Sequence, residues 1–339
     1  MLMALAILGI SLLIILHELG HYGAARACGM HVERFSIGFG PTIWGKQVGD
    51  TFWQVAAIPV GGFVQIRGMG ADGEAALDPR GFRNRPIWQR ALVMVAGPAA
   101  NWLIAAAAIA LLAGTVGFHE ADESTATIGE IVESSPAASA GLAVGDIVKS
   151  VDGVGVTDWL ALVTEIRKHP GALVALAVDR QGQAVRIEAH LAKSEGGDVG
   201  VLGVGPKLIA HTYGPVLALV MGVHGAAKLT RDQALFLWQF AAGKRAGKVA
   251  GLPGIVKMIS HQAKRGLGRL LEALALLSIG LFILNLLPVP ALDGGRLIFL
   301  ALEAARGRPI NQVVEGWVHA VGMALLLALM VLVSVRDLL

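Results

Sequence analysis

Residues 2–25 read LMALAILGISLLIILHELGHYGAA, and this stretch decides how the rest of the chain is read. It is apolar up to His17, and a bilayer core needs about 20 such residues as helix. It then carries His17-Glu18-Leu19-Gly20-His21, the pattern H-E-x-x-H. On a helix, the i, i+4 spacing puts both imidazoles on one face, where they can share a metal ion. Glu18 lies beside them and can accept a proton from water at that metal. Zinc suits two imidazoles plus one carboxylate with a position left open, and it lowers the pKa of water toward about 7. Ionisable groups inside a span are costly and usually functional. The alternative is a span that ends at Leu16, with 17–21 as a wet turn. A cleaved signal peptide fits less well, because a basic leader is missing and His-Glu stands where small residues belong.

The rest of the sequence agrees with a membrane protein. Only 16% of the 339 residues are charged and 55% are hydrophobic, with a mean hydropathy of +0.63. Soluble domains sit nearer a quarter charged. With 28 basic against 25 acidic residues, nothing points to nucleic acid. The single Cys28 excludes an internal disulfide. Further spans are expected at 91–116, 270–287 and 317–335, making four. Residues 26–90 hold eight Lys/Arg, and 289–316 hold Arg296, Arg306 and Arg308. The positive-inside rule puts these loops in the cytoplasm, and both termini and the 118–268 connection outside.

A third metal ligand is sought in Asn285-Leu-Leu-Pro-Val-Pro-Ala-Leu-Asp-Gly-Gly295. Pro288 and Pro290 break the third span, and broken backbone at membrane depth needs a protein or cavity environment. Asp293 follows, and the first and third spans run in the same direction, so Asp293 can meet His17 and His21. Equally, Asp293 can cap a helix over 296–305. Asn285 reads either as a contact to substrate backbone or as an interhelical polar contact. Asn101, inside the second span, reads as a structural link between spans two and three. His31, His119 and His319 read as surface or interfacial residues.

Residues 125–192 alternate short strand-like runs with turns, and Asp152-Gly153 marks a hairpin. The segment 159–168 is amphipathic, with Leu160, Val163 and Ile166 assigned to one face. The run 135–148, SPAASAGLAVGDIV, resembles the signature of bacterial PDZ domains, which bind extended peptides, often a C-terminus, by strand addition. Residues 207–265 are expected to form one or two amphipathic helices on the outer surface, with a fifth span over 214–243 as the alternative. Segment 51–67 is strand-like and glycine-rich, and reads as a β-hairpin dipping into the membrane edge.

Together, H-E-L-G-H, the PDZ signature and N-L-L-P-V-P-A-L-D-G-G resemble the site-2 protease family, most closely its RseP-like bacterial members. Phe35-Ser-Ile-Gly-Phe-Gly-Pro41, Gly61-Gly-Phe-Val64, Pro86-Ile-Trp-Gln-Arg-Ala-Leu92 and Ala96-Gly-Pro-Ala-Ala-Asn101 fit the same pattern. The resemblance implies a polytopic α-helical membrane protein with a re-entrant hairpin and one extracytoplasmic PDZ domain, in a bacterial inner membrane. The expected parts are 1–117, the PDZ domain at 124–193, the interfacial helices at 207–265 and the last spans at 266–339. It implies a single zinc held by His17, His21 and Asp293, with Glu18 as general base. Asn285, Gly61, Gly62 and Phe63 would hold substrate. That substrate would be a single-span protein shortened by a first cleavage, such as an anti-sigma factor, or a remnant signal peptide. Many relatives carry two PDZ domains, whereas this chain has space for one. Rival readings are a metal-ion transporter, which should show several polar spans, and an inactive PDZ scaffold, which the intact Glu18 opposes.

Overall fold

A computed structural model describes residues 2–70, 78–194, 197–244 and 251–338. In chain order the elements are α1 (Leu2–Ala27), β1 (Val32–Val48), β2 (Thr51–Ile66) and α2 (Ile87–Thr115). Then come β3 (Phe118–Ala121), β4 (Ile128–Ile131), α3 (Pro136–Ser139), β5 (Ile147–Val151), β6 (Val154–Gly155) and α4 (Trp159–Arg167). Strands β7 (Leu173–Arg180), β8 (Gln183–His190), β9 (Ala192–Lys193), β10 (Gly200–Val201), β11 (Val204–Pro206) and β12 (Leu208–His211) follow. The chain closes with α5 (Pro215–Ala241), α6 (Leu252–Lys264), α7 (Leu267–Leu286), α8 (Asp293–Arg306) and α9 (Gln312–Leu338). These fall into a helical unit, Met1–Thr115 with Tyr213–Leu339, and a β-rich unit, Val116–Thr212.

Among the described residues of the helical unit, four helices are long and apolar enough to cross a bilayer: Leu5–Ala27, Ile87–Thr115, Leu267–Leu286 and Gln312–Asp337. Leu5, Leu8 and Leu12 of α1 face outward while Ala6, Ile10 and Leu13 are buried, as expected where one helix face meets lipid and the other meets protein. Helices α1 and α2 are antiparallel and close. A Cβ on Gly20 would collide with the Ala96 carbonyl and lie 2.9 Å from Ala100 Cβ. Helix α7 runs parallel to α1. Ala6 and Ile10 pack with Leu270 and Leu274 near the starts of both helices, and His17 and Asn285 share a cavity near their ends.

The segment expected to form one or two amphipathic helices on the outer surface holds two, α5 and α6. Residues 215–241 form one helix, α5, packed lengthwise along α2 and α7. Trp102 Nε1 donates to Thr230 Oγ1 at 3.2 Å, and Gln233 Nε2 donates to the Leu276 carbonyl at 2.8 Å. Ala218, Gly222 and Ala226 make its buried face. Lys228, Arg231 and Asp232 hide this helix from an apolar-run search, but small residues every fourth position give it a seam against α2. Helix α6 packs through Ile259 on Ala6 and Ile10 of α1. Residues 245–250 of the expected surface segment lie outside the described residues.

Strands β1 and β2 are antiparallel and fold back on themselves. Residues 34–37 pair with Gly62–Gln65 on one side and with Phe52–Val55 on the other, while 42–48 pair with 51–56. The result is a doubled hairpin, wider than the one read from 51–67, with 62–66 along one edge. Gln54 sits inside it, donating to Ser36 Oγ at 2.9 Å and accepting from Thr42 Oγ1 at 2.9 Å. Val32 and Ile66 at its base join Ala25, Met30, Val93 and Leu300 in one buried cluster, so the sheet is anchored to α1, α2 and α8.

The β-rich unit has its own core, including Ile128, Val148, Leu162, Leu176 and Leu191. Its main sheet runs β6-β5-β7-β8. Asp152 and Gly153 both take positive φ, 49° and 84°, as a tight hairpin between β5 and β6 requires. The unit is longer than 124–193: β11 pairs with β4 and β12 with β3. Strands β3, β11 and β12 are three or four residues long, too short to show alternation. The face of α4 also differs from expectation. Leu162 and Ile166 are buried with Glu165, whereas Leu160 is 69% exposed.

Asp146 is 1% exposed and accepts from Arg180 Nε and Nη2 at 2.8 Å each and from the Ala143 backbone N–H at 2.9 Å. The Arg180 hydrogen bonds hold its pKa below the usual carboxylate value. A depressed carboxylate stabilises the fold above its unfolded pKa, and that contribution disappears as pH falls through the folded value. Arg180→Met leaves a buried charge unpaired and should cost about 3 kcal/mol. Chemical denaturation followed by hydrogen exchange in 116–212 checks this. The deficit should be present at pH 7 and shrink below about pH 4.

Candidate metal centre

Each member of the site is placed by a local reason. His17 and His21 are one turn apart on α1, 8% and 7% exposed. Their Nε2 atoms are 3.1 Å apart. Asp293 Oδ2 lies 3.4 Å from both. Asp293 opens α8 but does not cap it. Leu292 holds the cap position, with no side-chain cap hydrogen bond. Helix α7 ends because Pro288 cannot follow in helix. The turn 287–292 doubles back tightly, and a Cβ on Gly294 or Gly295 would strike the carbonyls of Leu287 or Val289. Ala291 is held at φ 78°, and its N–H donates to His319 Nδ1 at 2.9 Å. His319, read from the sequence as a surface or interfacial residue, is thus a buttress of this turn. His31 meets Asp78 and Arg80 away from the centre. The His119 side chain lies outside the described residues.

Helix α8 is clamped to α2 by Arg90, which donates to both Glu303 carboxylate oxygens at 2.6 and 2.9 Å. Arg83 and Glu315, 2.9 Å apart, tie the turn before α2 to α9. These pairs hold Asp293 to the two imidazoles across nearly the whole chain.

The donor set fits a tetrahedral divalent ion. Ligand distances near 2.0–2.1 Å put neighbouring ligand atoms roughly 3.3 Å apart, close to the 3.1, 3.4 and 3.4 Å seen. Asp293 Oδ2 is buried with no hydrogen-bond partner among the described residues, an arrangement that a cation would relieve. His21 Nδ1 lies 2.7 Å from the Val93 carbonyl. It therefore donates there and turns an Nε2 lone pair toward Asp293.

A cavity of about 310 Å³ opens on this cluster, lined by His17, Glu18, His21, Asp293, Asn285, Phe63 and Arg296 among others. Glu18 has the Val64 backbone N–H within hydrogen-bonding reach. Gly62 does not line the cavity but would bring a Cβ within 3.7 Å of Glu18 Cγ. Gly61, at φ 97°, packs against the Phe39 ring instead. Asn101 was read as structural, and its carbonyl does accept from Ser278 Oγ at 2.8 Å, joining α2 to α7. Its side chain also meets His17 Nδ1 at 3.1 Å. In the β-rich unit, a second cavity of about 270 Å³ runs between α4 and the β10–β11 segment, lined by Trp159, Leu162, Val163, Ile166, Val201 and Val204 among others.

Apolar spanning helices that bury an H-E-x-x-H pair against a distant aspartate define a membrane zinc protease. The chain belongs to Peptidase family M50, whose pattern matches residues 5–329. A Nostoc protein is 35% identical over 98% of this chain and 94% of its own length. One from Agrobacterium fabrum is 31% identical over the same shares. Both are named "Putative zinc metalloprotease". The PDZ domain of the SdrC-like protein from Listeria monocytogenes aligns over 26% of this chain and 93% of its own, at 18% identity and TM-score 0.22.

Proposed function

We propose that the protein is a site-2-type endopeptidase that hydrolyses peptide bonds within transmembrane segments of single-span proteins. The single observation that carries this reading is the convergence of His17 Nε2, His21 Nε2 and Asp293 Oδ2 beside Glu18 in one cavity. These three atoms would hold one zinc ion, which when bound supplies Lewis acidity toward a carbonyl and a lowered pKa for water. Glu18 takes the proton of the attacking water and delivers it to the leaving amine. The surrounding apolar helices restrict water to the cavity. Asn285 and Phe63 line that cavity on opposite elements and flank the substrate backbone.

A helical peptide bond is shielded by its own hydrogen bonds, so the substrate must be extended before it is cut. The 62–66 edge supports this, since it is paired on one side in its sheet and lies next to Glu18. An unwound segment can add to it as a further strand. Gly61 and Gly62 would keep that edge narrow. The doubled hairpin exposes Phe39, Ile43, Trp44 and Ile58, a surface suited to dipping into lipid. The basic loops 26–90 and 289–316 support a centre toward the cytoplasm, with both termini and the β-rich unit outside. That unit acts as a PDZ domain. Its α4 groove takes an extended apolar C-terminus, the kind a first cleavage exposes. A shortened anti-sigma-type protein or a remnant signal peptide meets these requirements in a bacterial inner membrane.

The full chain in lipid vesicles, with a synthetic transmembrane peptide, tests the reading. Stripping the metal with a chelator should abolish cleavage, and one equivalent of zinc should restore it. Cleavage that survives chelation sinks the proposal, as does zinc bound tightly with no peptide cut. The latter would favour the transporter or the scaffold.

A further inference from the structure

Asn101 is fully buried on α2, and its amide nitrogen lies 3.1 Å from His17 Nδ1. Its Oδ1 is buried with no partner among the described residues. An amide N–H donated to Nδ1 requires the imidazole proton to sit on Nε2. That is the atom facing His21 Nε2 at 3.1 Å and Asp293 Oδ2 at 3.4 Å. A protonated Nε2 cannot bind a metal. A half-turn of the amide exchanges its two ends at almost no change in shape. The oxygen then accepts from Nδ1–H, the orphaned Oδ1 gains its partner, and the Nε2 lone pair points at the other two donors.

We propose that Asn101 is a positioning residue for the metal centre, fixing the tautomer and ring orientation of His17 through Oδ1···H–Nδ1. Helix α2 would then orient both imidazoles, one through the Asn101 side chain and the other through the Val93 carbonyl at 2.7 Å. The hydrogen bond from Ser278 uses the Asn101 backbone carbonyl, so the packing of α2 on α7 does not depend on the amide. The inference rests on His17, His21 and Asp293 being the zinc ligands.

Zinc titration of the metal-stripped full chain in detergent, against a chromophoric zinc competitor, tests it. Partners that orient a metal-bound imidazole typically account for 10–100-fold in affinity. Asn101→Leu keeps the volume and removes the acceptor, so its zinc affinity should fall by about that factor. Asn101→Asp keeps an acceptor oxygen and should recover most of the loss. Wild-type affinity in Asn101→Leu overturns the inference. So does a loss in folded Asn101→Asp as large as in Asn101→Leu, which would mean that an acceptor oxygen at this position is not what holds His17. Should Asn101→Leu fail to fold, the Asp variant decides: near-wild-type affinity supports the assignment and a tenfold or greater loss defeats it. A wild-type chain whose zinc binding is insensitive to His17→Ala would bring down the ligand assignment itself, a result distinct from any of these.

Discussion

Glu18→Gln should lose about 10²–10⁴-fold in peptide-bond cleavage, the range associated with a general acid–base group, while still binding zinc. The substitution replaces one carboxylate oxygen by an amide nitrogen of nearly equal size. Glu18 contributes none of the three mutually close donor atoms, which come from His17, His21 and Asp293. The metal site should therefore survive. What the amide lacks is basicity: it can still hydrogen-bond water but cannot hold its proton or hand it to the departing amine. Cleavage of a transmembrane peptide in vesicles, with zinc content measured on the same preparation, reads both halves. Zinc retained with activity within tenfold of wild type would remove Glu18 from the chemistry. Zinc lost would make it a ligand and move Asp293 to another role. A transporter would show no dependence of peptide cleavage on Glu18, having no cleavage to lose.

The residues of the candidate site were legible in the sequence because each is costly where it stands. Two histidines and a glutamate at the end of an apolar run, and an aspartate after a proline-broken helix, have few structural explanations. Their partners were less legible. Asn101 stood out as the strongly polar residue of its span, but no spacing rule links residue 101 to residue 17. The link exists because α1 and α2 are antiparallel and Gly20 lets them approach. His319 could not be read at all, since its task is to hold one backbone N–H of a turn 28 residues away. The packing of α5 along α2 was hidden because the charges at 228, 231 and 232 outweigh its small-residue seam in any average over the sequence. Strands β3, β11 and β12 of the β-rich unit were missed for the opposite reason, being too short to show a period. Strand 62–66 was expected as one arm of a hairpin. Its position beside Glu18 depends on the doubling of β1 and β2, which follows from register rather than composition.

Gly97→Ala should disable the centre with a single methyl group. Gly97 lies on α2 directly over the His21 ring. A Cβ there would overlap Nε2 and come within 2.5 Å of Cε1 and 2.6 Å of Cδ2. Neither side can yield cheaply. The α2 backbone is pinned by the contact of Gly20 with Ala96 and by the bond from His21 Nδ1 to Val93 at 2.7 Å. The imidazole must then rotate or shift, which breaks that bond and spoils its 3.4 Å approach to Asp293. Displacements of about 1 Å at a reacting centre can cost roughly 10²-fold in rate, and a mispositioned ligand about 10–100-fold in metal affinity. Both losses should appear together in Gly97→Ala, as weaker zinc binding and slower cleavage. Helix propensity alone points the other way, since Ala is favoured over Gly by about 1 kcal/mol in a helix interior. An intact or stabilised fold with a failed metal site would therefore identify steric displacement of His21 as the cause. Gly23→Ala is the matched control. It lies two residues beyond His21 on α1, and an added Cβ meets nothing within 4 Å, so zinc binding and cleavage should match wild type. If Gly97→Ala binds zinc and cuts peptide as Gly23→Ala does, His21 does not sit beneath Gly97 in the working enzyme, and the α1–α2 register that builds the whole site is wrong.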